Sequence, residues 1–189
     1  MNAAAPTLMH SVLRPCMLAL FLVGLAAPVH ATLTLTDGPG GVTCRYLAAG
    51  GKMKWQREGG DWIDADAVAF GSRSHARADV PVGRESQTVR WDITTLVRKW
   101  LKDGATSGPI FLSAESAGER GSVDFRSREE KDAERRPTLV LTFADGSSTR
   151  VVASADSSLN CSTSKSTGRS SKLKVGAGQS AIVVFAIPS

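Results

Sequence analysis

The chain has 189 residues, enough for one ordinary domain. Apolar residues make up 42% and charged residues 22%, a globular balance that excludes a collagenous or wholly disordered chain. Three His and three Cys leave little material for a histidine-rich metal site or a cysteine zinc finger, and the net charge of +5 is compatible with anionic partners without choosing among them.

Arg14 is the first charged residue, and the next is Asp37. Between them runs Met17-Leu-Ala-Leu-Phe-Leu-Val-Gly-Leu-Ala-Ala, then Pro28-Val29-His30-Ala31. A positive start, a short apolar run and small residues at the end predict a secretory signal over 1–31, cleaved after Ala31, and a secreted or periplasmic product. The run is short for a membrane span, so no stable span is expected after processing. Processing would leave His75 as the one histidine and Cys44 and Cys161 as a cysteine pair. An even pair in an exported chain suggests a disulfide closing a loop of about 117 residues; two buried thiols are the alternative.

Strand-like segments follow in order. Thr32–Thr36 alternates strictly, and Val42–Leu47 follows a turn at Asp37–Gly41. Next come Val68–Phe70, Thr88–Trp91, Pro109–Ala114, Ser122–Phe125, Thr138–Phe143 and Val151–Ala153. Ala181–Ile187 is the most apolar run of the mature chain. Short alternating runs broken by Gly, Pro, Asp and Ser predict an all-β sandwich or barrel. One segment has another period. Ile93, Leu96, Val97, Trp100 and Leu101 recur at steps of three and four, which predicts a single short helix over about 93–102. Asp92 is its expected N-cap and Gly104 its C-terminal glycine, with Trp100 as a core anchor. Ser154–Ser171 is rich in Ser, Thr and Asn; it reads as a linker or as an ordered polar loop tied down through Cys161.

Four motifs then come together. Trp91-Asp-Ile-Thr-Thr-Leu-Val-Arg-Lys-Trp-Leu, Gly108-Pro-Ile-Phe-Leu, Val123-Asp-Phe-Arg-Ser-Arg-Glu and Arg136-Pro-Thr-Leu-Val-Leu-Thr-Phe resemble the second half of DNRLRE domains. These are jelly-roll carbohydrate-binding modules, some attached to alginate lyases and other polysaccharide-degrading proteins. The resemblance covers about 32–143. Motifs similar to the family's opening half stand at the other end, over about 151–189: Ala155-Asp-Ser-Ser-Leu-Asn, Lys172-Leu-Lys-Val-Gly and Ala181-Ile-Val-Val-Phe-Ala-Ile. The resemblance implies a jelly-roll-like β-sandwich over 32–189, circularly permuted, with 144–189 supplying the strands that 32–143 lacks. A fragment of a tandem array and a dimer that swaps the tail are the competing explanations. Apolar edges left bare in the first and the closeness of chain ends in compact domains favour one permuted unit.

The sequence offers little for catalysis. His75 sits in a polar stretch with no Gly-x-Ser-x-Gly elbow nearby. Glu115, Glu119 and Asp124 read as solvated turn acids, although glycosidase chemistry would need such a pair. The chain is therefore expected not to be an enzyme. No cofactor or metal is expected, with structural calcium the one candidate, at Asp156 and Asn160 or at Asp61, Asp64 and Asp66. Sugar binding needs flat rings for C–H faces and polar groups for hydroxyls, with cations for acidic sugars. Tyr46, Lys52, Lys54, Trp55, Arg57 and Trp62 mix both kinds within one loop-like stretch, although the tryptophans also suit packing. Arg126 and Arg128 alternate on a strand and add two cations to one face. The expected partner is a polysaccharide, anionic ones included, and not nucleic acid. The expected state is a monomer or a strand-swapped dimer. The alternative function is a structural or adhesive envelope module that binds a protein partner by strand exchange.

Overall fold

The structure is a computed structural model that describes residues 41–48, 53–80, 86–115, 121–176 and 178–188. The leader, the Thr32–Thr36 segment, Lys52 and Glu119 lie outside the described residues.

Apart from one short α-helix and a 3₁₀ turn, the regular structure of the described chain is antiparallel β, an all-β sandwich. In chain order the elements are β1 (Tyr46–Ala48), β2 (Met53–Lys54), α1 (Thr94–Lys102), β3 (Ser107–Leu112), β4 (Ser122–Arg126), β5 (Thr138–Thr142), β6 (Ser148–Val152), β7 (Ala155–Asn160), β8 (Lys172–Gly176) and β9 (Gln179–Ala186). A 3₁₀ turn at Ala133–Arg135 precedes β5.

The last strand organises the sheet. β9 lies between β3 and β7, so that Val184 faces both Pro109 and Ala155 in register. β8 meets β9 only at the hairpin pair Gly176↔Gln179, and runs instead against β4 over five residue pairs. The tail therefore completes the sheet to which the central part of the chain contributes β3 and β4. The continuous apolar run of β9 has a physical reason: it is buried on both faces. Ala181, Val183, Phe185 and Ile187 join the larger core with Leu173, Val175, Leu139, Val97 and Trp100. Ile182 and Val184 face the other way, into a second cluster with Val42, Ala155 and Leu159. Phe111, Trp55 and Leu47 pack against that second cluster.

The helix covers the expected stretch. Asp92 lies one residue outside the cap position, and its Oδ1 accepts the N–H of Thr94 at 2.9 Å and the Thr94 hydroxyl at 2.6 Å. The far end closes in a Schellman arrangement, with Gly104 N–H donating to Leu101 O and Ala105 N–H to Trp100 O. Val97 and Trp100 are buried, while Ile93 and Leu96 pack against the core. Leu101 departs from the expected stripe and is 51% exposed. It lies one residue, about 100°, round the helix from Trp100, beyond the face that the other four residues already fill.

Three expected strands are shorter or missing. Val42–Cys44 is buried but irregular, because Thr43 Oγ1 accepts the N–H groups of Arg45 and Tyr46 and turns the chain. Val68–Phe70 keeps only the single bridge Ile63↔Ala69. Thr88–Trp91 has no ladder among the described residues, although the Trp91 ring lies 5.7 Å from that of Phe125 on β4.

The polar stretch after Ser154 is no linker. Its first part is β7, whose Asp156, Ser157 and Ser158 are all buried. Each of these three side chains has a hydrogen-bond partner. Asp156 Oδ2 accepts the N–H of Arg128 at 2.6 Å, Ser158 Oγ accepts the N–H of Lys174 at 2.8 Å, and Ser157 Oγ meets Thr167 Oγ1 at 3.2 Å. The Thr167 hydroxyl also accepts from Ser158 N–H and donates to Ser158 O. One side chain thus takes the place of a strand partner at Ser158.

Cys44 and Cys161 form a disulfide, 117 residues apart in sequence. It ties the irregular segment before β1 to the end of β7. No helix among the described residues is long and apolar enough to cross a membrane.

Candidate functional site

The sequence-predicted binding residues fall into two groups with different surroundings. Tyr46, Lys54, Trp55, Arg57 and Trp62 belong to the segment that covers the second core cluster. A ladder of rings runs through it. Trp55 meets Phe111 of β3 edge-on at 6.1 Å, Phe111 lies 6.4 Å from Trp62, and Trp62 meets Phe70 edge-on at 5.5 Å. Gly60 makes the close approach possible. Its φ is +110°, and a Cβ there would stand 2.2 Å from Phe111.

Both indoles are half-buried and use their N–H groups inward. Trp55 Nε1–H donates to Thr43 O at 2.8 Å, and Trp62 Nε1–H to Gly71 O at 3.1 Å. Their first task is packing, which leaves ring faces rather than polar edges for a ligand. Cations sit over these rings. The Arg57 guanidinium lies 5.7 Å from the Trp62 ring and 5.5 Å from that of Phe70, and Lys54 Nζ lies 5.8 Å from the Tyr46 ring. Such pairs are worth roughly 0.5–1 kcal/mol at an exposed site. Neither Lys54 nor Arg57 makes an ion pair among the described residues.

The loop beneath them is held by acids. Asp64 Oδ1 accepts the N–H groups of Asp66 and Val68 at 2.9 Å, and Oδ2 accepts that of Arg73 at 3.3 Å. Donation from Val68, with Arg73 and Asp66 adding to it against the cost of burial, holds the Asp64 carboxyl below the usual aspartate value. Asp61 accepts the N–H groups of Gln56 and Arg57, and Asp66 pairs with Arg73. The three acids weighed for calcium thus each serve backbone or guanidinium donors. Asp156 and Asn160 are four residues apart along one strand, about 13 Å, too far to share an ion. Asn160 Oδ1 instead accepts from Ser162. Among the described residues Cys44, Glu58 and Cys161 do come together, but both sulfurs are spent on the disulfide. His75 Nε2–H donates to Ile63 O at 3.1 Å, and Glu115 pairs with Arg77 at 3.0 Å.

Phe70 and Ala67 have φ of +57° and +63°. Non-glycine residues held there cost of order 1–3 kcal/mol each. The Asp64 hydrogen bonds and the Trp62–Gly71 bond determine this part of the loop and maintain the strain. Phe70 and Phe111 are ring residues that the sequence reading missed. Phe111 was visible only as an apolar strand residue, and nothing local signals that its ring meets two tryptophans.

The second group does not join the first in kind. Arg126 closes β4 and pairs with Glu130 at 3.0 Å. Arg128 lies beyond the strand in a turn, so the two arginines are not alternate residues of one strand face. Arg128 Nη1–H donates to Ser154 O at 2.7 Å, and Nε pairs with Glu129 at 3.0 Å. Ser127 between them is fully buried; its hydroxyl donates to Ser170 O at 2.6 Å and accepts Glu129 N–H. The Phe-x-Ser-Arg-Glu stretch is a clasp for the tail rather than a free basic surface.

A shallow cavity of about 280 Å³ opens at the β8–β9 turn, lined by residues such as Ser113, Leu159, Gln179 and Ser180. Its described lining carries no acid, base or cation. Compared with known proteins, the chain matches no family model, no curated protein and no solved structure.

Proposed function

We propose that the protein is an exported, non-catalytic carbohydrate-binding module of the DNRLRE jelly-roll kind, and that it takes acidic saccharides at the Lys54–Arg57–Trp62 surface. The observation that carries this reading is the contrast between its cations. Arg126 and Arg128 are engaged by carboxylates and main-chain oxygen. Lys54 and Arg57 rest on aromatic rings and are exposed. A guanidinium can grip a carboxylate through two parallel hydrogen bonds, while ring surface beside it receives the C–H face of a pyranose. The disulfide supports export.

Calorimetric titration with size-defined acidic and neutral oligosaccharides tests the proposal. Saturable binding to acidic chains is expected, weakened by salt and reduced at least tenfold in Lys54→Ala/Arg57→Ala, a loss of about 1.4 kcal/mol or more. Arg126→Ala is expected to leave the affinity unchanged. Absence of saturable binding, or binding indifferent to Lys54 and Arg57, overturns it.

A further inference from the structure

We infer that β5 is a homodimerisation strand, pairing edge to edge with β5 of a second copy about a twofold axis through Val140. The inference does not depend on the proposed function.

It begins with the ladder between β5 and β6. Phe143 N–H donates to Ser147 O and Ala153 N–H to Pro137 O, both at 2.9 Å, in the register that pairs Leu141 with Thr149 and Leu139 with Val151. Hydrogen-bonded and non-bonded pairs alternate in an antiparallel ladder. The odd residues therefore bond to β6. The N–H and C=O groups of Thr138, Val140 and Thr142 point to the opposite edge. Among the described residues no strand pairs with that edge. The side chains agree with an outward role at the middle position: Leu139 is buried and Leu141 packs on the core, whereas Val140 is 55% exposed.

The sequence of the strand is its own reverse, Thr138-Leu-Val-Leu-Thr142. A second copy laid antiparallel on the open edge, with Val140 opposite Val140, sets Thr138 opposite Thr142 and leucine opposite leucine. Each pair of Thr138 with Thr142, and the central valine pair, consists of residues whose backbone groups already face outward, so every one can exchange two hydrogen bonds. A twofold interface demands this self-complementarity. Charge does not oppose it. No charged residue stands between Arg136 and Asp145, so two copies meet no like charge across the axis. The apolar outer face of Val140 and the neighbouring Val152, itself 43% exposed, continues across the joined sheet.

Among strands of five residues or more, the other outer ones carry devices that discourage such pairing. β3 holds Pro109, which lacks an N–H. The edge of β7 is engaged at Ser158, whose N–H and C=O both bond the Thr167 hydroxyl. β4 carries Asp124 and Arg126, both in ion pairs. β6 carries Arg150 opposite Val140. Among these strands β5 alone lacks charge and proline.

Sedimentation of the oxidised protein, from micromolar to near-millimolar concentration, tests the inference. A concentration-dependent dimer is expected. Val140→Lys, which sets two cations on the axis, and Val140→Pro, which removes an outward N–H and no β6 bond, should each shift the midpoint at least tenfold towards monomer. Both should keep the wild-type circular dichroism. Amide exchange at Thr138, Val140 and Thr142 in the unmodified protein should slow as concentration rises, and this reads the contact even if a variant fails to fold. A monomer throughout, or these amides exchanging at one rate at every concentration, overturns the inference. So does a dimer that persists in both folded variants, the outcome expected of tail exchange.

Discussion

The backbone N–H of Arg128 donates to Asp156 Oδ2 at 2.6 Å across 28 residues. It joins the turn after β4 to a strand whose polar side chains are buried. Asp156 is 1% exposed, so its carboxylate is tolerated only because donors meet it. Asp156→Ala should lower the unfolding free energy by about 1.5–3 kcal/mol, the range for hydrogen bonds to a charged group. Urea denaturation followed by tryptophan fluorescence measures it. A variant as stable as the parent would remove Asp156 from the account of how the tail docks.

The Cys44–Cys161 bond closes a loop of 117 residues. In the chain-entropy account such a loop contributes about 5 kcal/mol at most by restricting the unfolded state. Reduction, or Cys44→Ala with Cys161→Ala, should bring the urea midpoint down markedly. The contribution is expected to be largest where the second core cluster meets β7, and amide exchange near Leu159 and Ile182 can locate it.

Gly108 on β3 lies against the Trp100 ring, where a Cβ would stand 2.4 Å from Cζ3. The ring is buried in the core, packed in one cluster with Val97 and Phe185. Gly108→Ala should therefore cost about 1–3 kcal/mol by overpacking, seen as a lower melting temperature and an altered near-ultraviolet signal of tryptophan.

Asp64 predicts how the aromatic loop responds to acid. Its carboxyl is held below the usual value first by the Val68 N–H, then by Arg73 and Asp66. A depressed folded value means that the charged form is favoured on folding. Its contribution is complete above the unfolded value, near pH 4, and is lost as pH falls through the folded value. The loop around Trp62 should hold its structure from neutral pH down to about pH 4 and loosen below it. Asp64→Asn should loosen it already at neutral pH, since an amide offers one acceptor oxygen where the carboxylate serves three N–H groups. Exchange of the Val68 and Arg73 amides against pH checks both statements.

Much of the architecture was legible in the residues. Short strand-like runs marked β3, β4 and β5, and a period near 3.6 marked α1 from Ile93 onward, because burial on one face imposes a period on the chain; β9 was marked instead by its continuous apolar run. The cysteine pair was legible from its number and its setting. What could not be read locally is which strand lies beside which, and β7 shows why. Its Ala-Asp-Ser-Ser-Leu-Asn sequence has the composition of a loop, yet it is buried because Arg128, Lys174, Thr167 and Val42 arrive from elsewhere to satisfy it. The same holds for the cations. Arg57 and Arg128 are alike as residues; a guanidinium becomes a clasp or a free surface charge according to whether folding brings an acceptor to it, and that depends on partners distant in sequence. Sequence by itself determined the periodicities, the sandwich class and the two cysteines that could be joined. Tertiary structure alone decided that β9 would be covered on both faces, that a polar strand would be interior, and which cations would remain exposed, since each of these is a property of neighbours that the linear order does not place side by side.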